Sequence, residues 1–430
     1  MSATDESPGL DQSDKRLRSG VTWNVASLAV LGFAGIALNV LIGRHFGAAA
    51  LGVFNQVMGA YILFSMAAAG GINYSLLGAV AEAPADRPRV AGAVVGALLP
   101  TILLAAAVTA AFFASGNWVA DVLDSPGVAK GMRDAAPGLF FFALNKQLLA
   151  VVNGMQRMRA FAIYQALRYV LILVGFVILW SASCSGDELS LVWTIAEGTL
   201  FVVLAVEVGL QVSWRQAVDV VNWSRVHLIF GSRSVLSAML LELNAKIDIW
   251  MLGLWLGDAS VGVYSLAANL AEGFYQLIVV LQNNFNPVLA SLSARGSSAE
   301  LHALIAKARR WIVPSFAGLA LVSAALYPWT LPLLAEGPEF ADSWLPFAIL
   351  VGSIGALAAW LPFGSLLLMA KRPAWNSLLM ALVVGVNVGA NALLIPRFGI
   401  VGAALGTAIA FAAFCLLLKV LARRLLGVRL

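Results

Sequence analysis

Residues 43–54 read G-R-H-F-G-A-A-A-L-G-V-F, and residues 253–264 read G-L-W-L-G-D-A-S-V-G-V-Y. Three glycines, one alanine and one valine keep their places in the two copies, which begin 210 positions apart, at 43 and 253. Each copy falls between two apolar runs, where glycine allows a tight reversal of the chain. The repeat therefore predicts two similar halves, each of which begins with two helices joined by a short loop.

The composition predicts that these halves lie in a membrane. Of the 430 residues, 61% are hydrophobic and 11% are charged, and the mean hydropathy is +0.88, whereas a soluble domain is about 25% charged. Apolar runs of roughly 20 residues recur along the chain, and each is long enough to cross about 30 Å of hydrocarbon. Helices are the spanning element that this pattern allows. The expected fold is all-α, with about 12 transmembrane helices.

The apolar runs also set the expected domain bounds. The first six helices are predicted over 20–42, 51–80, 90–114, 136–155, 160–181 and 189–212, and the last six over 227–255, 261–289, 311–331, 344–370, 375–395 and 401–421. The corresponding domains are a disordered cytoplasmic tail (1–19), an N-terminal six-helix bundle (20–212), an amphipathic cytoplasmic linker (213–226) and a C-terminal six-helix bundle (227–430). Because each half has an even number of helices, the halves form parallel repeats.

Charge in the loops predicts the orientation. Most of the 27 Lys and Arg residues fall in alternate loops, which places both termini in the cytoplasm by the positive-inside rule. The first 19 residues have no cleavage pattern, so the first helix is expected to act as its own insertion signal. The net charge of +5 is thus explained by topology, and we expect no nucleic-acid partner.

Ionisable residues inside the predicted helices are candidates for a working surface, because each costs roughly 2.5–3.5 kcal/mol at the bilayer centre. On helix seven, Arg233, Asn244 and Asp248 share one stripe, while Glu242 and Lys246 share the opposite side. The second pair is spaced i, i+4 with Glu first, which is the order that favours a local ion pair. A local pair and a cavity role are both open for these two residues.

Helix eight carries the longest polar stripe, which includes Asn269, Glu272 and Gln276. Such a stripe favours a water-lined cavity over isolated hydrogen bonds between helices. Helix eleven adds Asn376, Asn387 and Asn391, for which both interpretations are open. Lys146 and Arg168 can supply charge to the same cavity from the first half.

The motifs of common enzymes are missing from the sequence. It has no G-x-x-x-x-G-K-[ST], no H-E-x-x-H and no cluster of Cys and His residues. The two cysteines, Cys184 and Cys415, fit neither a disulfide framework nor metal-ligand spacing. We therefore expect a protein that is not an enzyme and that uses no cofactor and no catalytic metal.

Four motifs together carry a resemblance to a known superfamily. Residues 43–54 are followed by A-A-A-G-G-I-N-Y-S-L (67–76), then by D-I-W-M-L-G-L-W-L-G-D-A-S-V-G-V-Y-S-L-A (248–267) and N-A-L-L-I-P-R-F-G-I-V-G-A-A-L-G-T-A (391–408). With these motifs the chain resembles the multidrug/oligosaccharidyl-lipid/polysaccharide (MOP) exporter superfamily, and specifically its polysaccharide-biosynthesis branch with the Wzx-type O-antigen flippases. The resemblance implies a MATE-like, V-shaped pair of bundles with alternating access to a central, often cationic cavity.

The resemblance also implies a function. The expected cargo is an oligosaccharide on polyprenyl pyrophosphate, flipped from the cytoplasmic to the outer leaflet of a bacterial inner membrane. Membrane lipids, and a polysaccharide polymerase and glycosyltransferases, are the other expected partners. An ion-coupled multidrug or cation antiporter of the same superfamily is the first alternative, and a membrane glycan polymerase or ligase is the second.

Charge alone assigns roles within that cavity. Cations are expected to attract the pyrophosphate, and carboxylates to couple transport to an ion. The substrate-binding candidates are Arg233, Lys246, Lys146, Arg168, Asn269, Gln276 and Asn244, and the ion-coupling candidates are Glu242, Asp248 and Glu272.

Overall fold

The structure is a computed structural model that describes residues 10–295, 298–370 and 372–428. Across these ranges the regular secondary structure is helical, which confirms the predicted all-α class. The helices are α1 (Leu10–Ala69), α2 (Ile72–Glu82), α3 (Arg87–Leu123), α4 (Pro126–Gly154), α5 (Met158–Ser181), α6 (Leu191–Gln211), α7 (Val220–Trp255), α8 (Asp258–Arg295), α9 (Ser298–Leu334), α10 (Trp344–Leu357), α11 (Leu366–Met369) and α12 (Pro373–Leu426). Of the predicted disordered tail, residues 1–9 lie outside the described ranges, and residues 10–19 belong to α1.

Two of the long helices are each broken at a single glycine. Gly47 in α1 has φ 81° and Gly399 in α12 has φ 57°, a backbone region that glycine enters without steric cost. Each break separates two predicted spans. The sequence predicted a short loop at each of these points. In the structure a single glycine turns the chain, and helix continues directly on both sides of it.

Two spans that the sequence predicts as continuous helices are interrupted in the structure. The span over 51–80 stops at Ala69 and restarts at Ile72, because Gly70 and Gly71 both adopt positive φ angles. The span over 344–370 ends at Leu357 as α10, and after irregular turns only the short α11 follows. Glycine and proline in these connections supply the turn geometry that the hydrophobicity pattern alone does not show.

Length and composition make this a multi-pass membrane protein. Among the described residues, nine helical segments are long and apolar enough to cross a bilayer, from Val30–Ala69 to Ala374–Leu426. Those two segments contain the glycine breaks, so each corresponds to two predicted spans.

The chain folds into two compact units. Unit 1 comprises Met1–Leu38, Ala60–Gly116 and Lys130–Met239, and unit 2 comprises Asn39–Gly59, Asn117–Ala129 and Leu240–Leu430. Each unit has its own apolar core. Buried side chains such as Ile72, Val94 and Leu200 pack together in unit 1, and Leu252, Tyr264 and Val351 do so in unit 2. The predicted domain bounds remain a prediction.

The two sequence copies meet within unit 2. A Cβ atom on Gly52 would clash with the carbonyl oxygen of Asp258, and a Cβ atom on Gly262 would clash with the carbonyl oxygen of Ala48. Gly262 and Asp258 occupy in the second copy the places of Gly52 and Ala48 in the first. The contact is therefore reciprocal, as expected of two repeats that face each other. The glycines are required there because the backbones touch.

Candidate functional site

A cavity of about 630 Å³ lies in unit 2, among residues of α7, α8, α10, α11, α12 and the turns between α10 and α11. Six of the predicted site residues line it, namely Glu242, Lys246, Asp248, Asn269, Glu272 and Gln276. Sequence spacing placed Lys246 and Asp248 on different sides of helix seven. Both border the cavity, so the cavity extends around that part of α7.

Asp248 is the most deeply buried acid of the cavity, with 8% of its surface exposed. One carboxylate oxygen, Oδ1, accepts a hydrogen bond from Asn391 Nδ2 at 2.7 Å. The other, Oδ2, accepts hydrogen bonds from Tyr264 Oη at 3.1 Å and from Thr407 Oγ1. All of these donors are neutral, so the hydrogen bonds orient the carboxylate without balancing its charge.

The break in α12 brings two of these donors to the same carboxylate. Asn391 and Thr407 lie on opposite sides of Gly399, and a Cβ atom on Gly406 would clash with Asn391 Oδ1. Gly406 thus leaves room for the amide that holds Asp248. Asn391 Nδ2 also donates to Asn387 Oδ1 at 3.1 Å, which extends the cluster along α12.

The oxygen atoms around Asp248 form a set that suits a small cation or a proton. Asn391 Oδ1 is buried and has no hydrogen-bond partner among the described residues. Carboxylate, amide and hydroxyl oxygens are the ligands that hard cations prefer. An unbalanced carboxylate inside a membrane protein is costly, and a bound cation or proton would remove that cost.

Lys246 is the cation of the cavity, and its partner differs from the one considered in the sequence. Its Nζ lies 3.5 Å from Glu272 Oε2 of α8. Of the two roles left open for Lys246 and Glu242, a local ion pair and a cavity role, the described residues show the cavity role for both. The Lys246 side chain is 13% exposed and that of Glu272 is 53% exposed. Three carboxylates and one lysine are therefore among the described residues that line this unit 2 cavity, so the charge of this lining is acidic. The central, often cationic cavity that the resemblance implies remains a prediction.

The remaining wall of the cavity combines aromatic rings with amides. Tyr275 and Phe411 are stacked, with ring centroids 5.6 Å apart and planes 12° from parallel. Phe414 continues the apolar side. Asn376 and Asn387, for which the sequence left cavity lining open, also line the cavity. The polar residues of the lining that sequence reasoning missed are Tyr264, Gln282, Ser365 and Thr407.

Asn269 connects the cavity to a cluster of asparagines in unit 2. Its Nδ2 donates to Asn39 Oδ1 at 2.9 Å and lies 3.3 Å from Asn55 Oδ1. Asn55 Nδ2 in turn donates to Asn39 Oδ1 at 2.9 Å. Asn39 and Asn55 lie on either side of the Gly47 break in α1, and their i, i+16 spacing carries no helical signal that would have predicted this cluster.

The charged candidates of the first half form a separate cluster in unit 1. Arg168 Nε lies 2.8 Å from Glu197 Oε1, and Asn145 Nδ2 donates to Glu197 Oε2 at 2.8 Å. The Arg168 guanidinium and the Lys146 ammonium lie 4.8 Å and 5.5 Å from the centre of the Phe142 ring. Glu197 was absent from the predicted site, yet it is the group that neutralises Arg168.

Two predicted residues lie elsewhere. Arg233 is exposed on α7 in unit 1 and does not line the unit 2 cavity. Asn244 belongs to α7, but its side chain lies outside the described part of the structure.

Solved structures with the same fold are transporters. A structure titled "Lipid II flippase MurJ, inward closed conformation" matches with a TM-score of 0.74 over 94% of this chain and 87% of that chain, at 13% identity. An inward-facing multidrug resistance MATE family transporter of the MOP superfamily matches with a TM-score of 0.74 over 95% and 94%, at 15% identity. A MOP superfamily transporter from Pyrococcus furiosus matches with a TM-score of 0.65 over 96% and 95%, at 12% identity.

These matches show that the chain has the fold of MOP superfamily transporters, the fold that the sequence motifs predicted. Residues 96–331, more than half of the chain, match the profile of the family described as polysaccharide biosynthesis protein. The chain belongs to that family. No curated protein matches the sequence significantly.

Proposed function

We propose that this transporter flips a polyprenyl-pyrophosphate-linked oligosaccharide from the cytoplasmic to the outer leaflet of a bacterial inner membrane, during synthesis of a cell-surface polysaccharide. The observation that carries the proposal is the amide-rich and aromatic wall of the unit 2 cavity, in a chain of the polysaccharide biosynthesis family. The fold shared with a lipid II flippase supports transport of a lipid-linked glycan. Both termini are proposed to be cytoplasmic, as the loop charges predict.

The wall of the cavity has the chemistry that a sugar chain needs. Amide groups of Gln276, Gln282 and Asn376 each offer donors and acceptors to hydroxyl groups. The stacked rings of Tyr275 and Phe411 give an apolar surface for the C–H face of a sugar ring. A cavity that is mostly apolar, with a few convergent polar groups, is the usual form of a small-ligand site.

Lys246 is the candidate cation for the pyrophosphate inside this cavity. Its present partner, Glu272, is half exposed, so a phosphate group can compete for the ammonium in a wet site. Arg233, Lys146 and Arg168 also remain candidates for the pyrophosphate, although the guanidinium of Arg168 is engaged by Glu197 in this structure.

Transport is proposed to be coupled to a cation or a proton at Asp248. The chain carries no ATP-binding motif, so an ion gradient is the energy source that fits the buried, unbalanced carboxylate. Glu242 and Glu272 lie on the same cavity and are proposed to tune its charge.

One observation favours a second function. The described lining of the cavity has three carboxylates and one lysine, a balance that also suits an organic cation, as an ion-coupled antiporter would need. The two functions differ in the sign of the cargo that the cavity attracts.

Reconstitution of the full chain into liposomes separates the proposals. The expected result is protein-dependent appearance of a fluorescent polyprenyl-pyrophosphate oligosaccharide in the opposite leaflet, stimulated by a proton or sodium gradient. Gradient-driven efflux of an organic cation without glycolipid movement would replace the flippase by the antiporter. Elongation of the added glycan by the pure protein would instead show a polymerase or ligase.

A further inference from the structure

A second concave surface lies in unit 1, on the side of α3 and α4 that carries exposed apolar residues. This groove has a volume of about 380 Å³. Its floor is made by small side chains, Ala106 and Ala110 one turn apart on α3 and the adjacent Ala136 and Pro137 on α4. Because these residues barely project from their helices, they leave a furrow between α3 and α4.

The walls of the groove are aromatic, and one end carries a cation. Phe113 of α3, 54% exposed, and Phe140 of α4 stand on either side. Arg133 is the basic residue among those that line the groove. Lys130, one turn nearer the start of α4, is paired with Glu188 at 2.9 Å.

The depth of the groove matches that of a lipid. Arg133 follows Pro126, the first residue of α4, by seven positions, or about 10 Å of helix rise. On α3, Ala106 precedes the last residue, Leu123, by 17 positions, or about 25 Å. Exposed Trp118 lies about 7 Å from the same end of α3, as expected of an aromatic residue at the membrane interface. With the end of α3 at the membrane interface, as Trp118 indicates, the arginine lies at headgroup depth and the apolar furrow continues about 15 Å into the acyl region.

We infer that this groove binds one anionic glycerophospholipid, with its phosphate at Arg133 and one acyl chain along the alanine floor. In the predicted topology the lipid belongs to the outer leaflet. Charge complementarity at the interface and an apolar furrow below it are the two features that a phospholipid provides together. The carboxylate of Asp134, next to Arg133, is within electrostatic reach of the guanidinium, so the lipid phosphate has to compete with it for Arg133.

Native mass spectrometry of the full chain, purified in detergent with added phosphatidylglycerol, tests the site. The wild-type protein is expected to retain one phosphatidylglycerol, and Arg133→Ala to retain about fivefold less. Ala110→Phe, which fills the groove with a ring, should cause a similar loss. Arg397→Ala removes an exposed arginine of α12 that is not part of the groove lining, and it should match the wild type.

Both variants change side chains on an exposed helix face, so their thermal unfolding midpoints should stay at the wild-type value and show that the fold is intact. If Arg133→Ala and Ala110→Phe retain as much phosphatidylglycerol as the wild type, the proposed site is wrong. If the wild-type protein instead retains a polyprenyl phosphate in preference to phosphatidylglycerol, and the two groove variants lose it, the proposed lipid is wrong.

Discussion

The two compact units each bury an acidic side chain, and they surround it in opposite ways. In unit 1, Glu197 is 2% exposed and lies against the guanidinium of Arg168. In unit 2, Asp248 is 8% exposed, and its hydrogen-bond donors are neutral. The charge of Glu197 is therefore balanced by Arg168, whereas the charge of Asp248 is available to a cation or proton that enters the cavity. This difference predicts a structural role for the first acid and supports the ion-binding role proposed for the second.

The largest effect is expected when the pair in unit 1 is broken. Glu197→Ala leaves a buried guanidinium without its counter-charge, which typically costs about 3–5 kcal/mol. The thermal midpoint in detergent and the abundance in the membrane should both fall. The double variant Arg168→Met, Glu197→Leu removes both charges and should recover most of the loss. If the double variant were as unstable as the single one, the pair would not be a charge-balanced structural unit.

A smaller change in free energy, with a large effect on transport, is expected at Asp248. Asp248→Asn keeps the shape of the side chain but removes its charge, so the cation or proton should lose its ligand. Coupling between an ion and a cargo is usually worth about 1–3 kcal/mol, so the ion should no longer raise the affinity for cargo by about 5- to 150-fold. Stimulation of transport by the gradient should therefore be lost. Transport without a gradient should not change, and the thermal midpoint should stay close to the wild-type value.

Glu242→Gln is the matched control for this variant, because Glu242 lines the same cavity but is less buried. Its effect on gradient stimulation should be smaller. If the Asp248→Asn protein is still fully stimulated by the gradient, Asp248 is not the ion-coupling residue.

The smallest effect on stability is expected at the cavity ion pair. Lys246→Ala removes a partner of the half-exposed Glu272, and such solvated pairs contribute about 0–1 kcal/mol. The thermal midpoint should hardly move, but the affinity for a pyrophosphate-linked glycan should fall if Lys246 binds the phosphate. Binding that is unaffected would remove Lys246 from cargo recognition and leave the amide and aromatic wall to carry it.

The features that the sequence predicted depend on local periodicity or on repetition. The spacing of Asn269, Glu272 and Gln276 on one helix face placed these three residues on the cavity, where the structure has them. The paired glycine motifs predicted two related segments, and the structure brings those segments into reciprocal contact. Both are properties of short stretches of chain, which hydrophobic and polar spacing describe well.

The features that the sequence did not show depend on distant parts of the chain. Asn391 and Thr407 reach one carboxylate only because Gly399 breaks α12 between them. Arg168 and Glu197 are visible as charges in neighbouring helices, but spacing gives no sign that they pair. Helical periodicity says which face a residue occupies and leaves open which other helix that face meets.

The reciprocal glycine contact also has a consequence for how the protein is made. Gly52 packs against the backbone at Asp258, so its partner surface does not exist until about 200 further residues have been synthesised. At about 5–20 residues per second, that interval is roughly 10–40 s. During this time the segment around the Gly47 break is without the backbone against which Gly52 packs in the finished fold. A newly made chain is thus open to mispairing with another copy until its second half has been inserted.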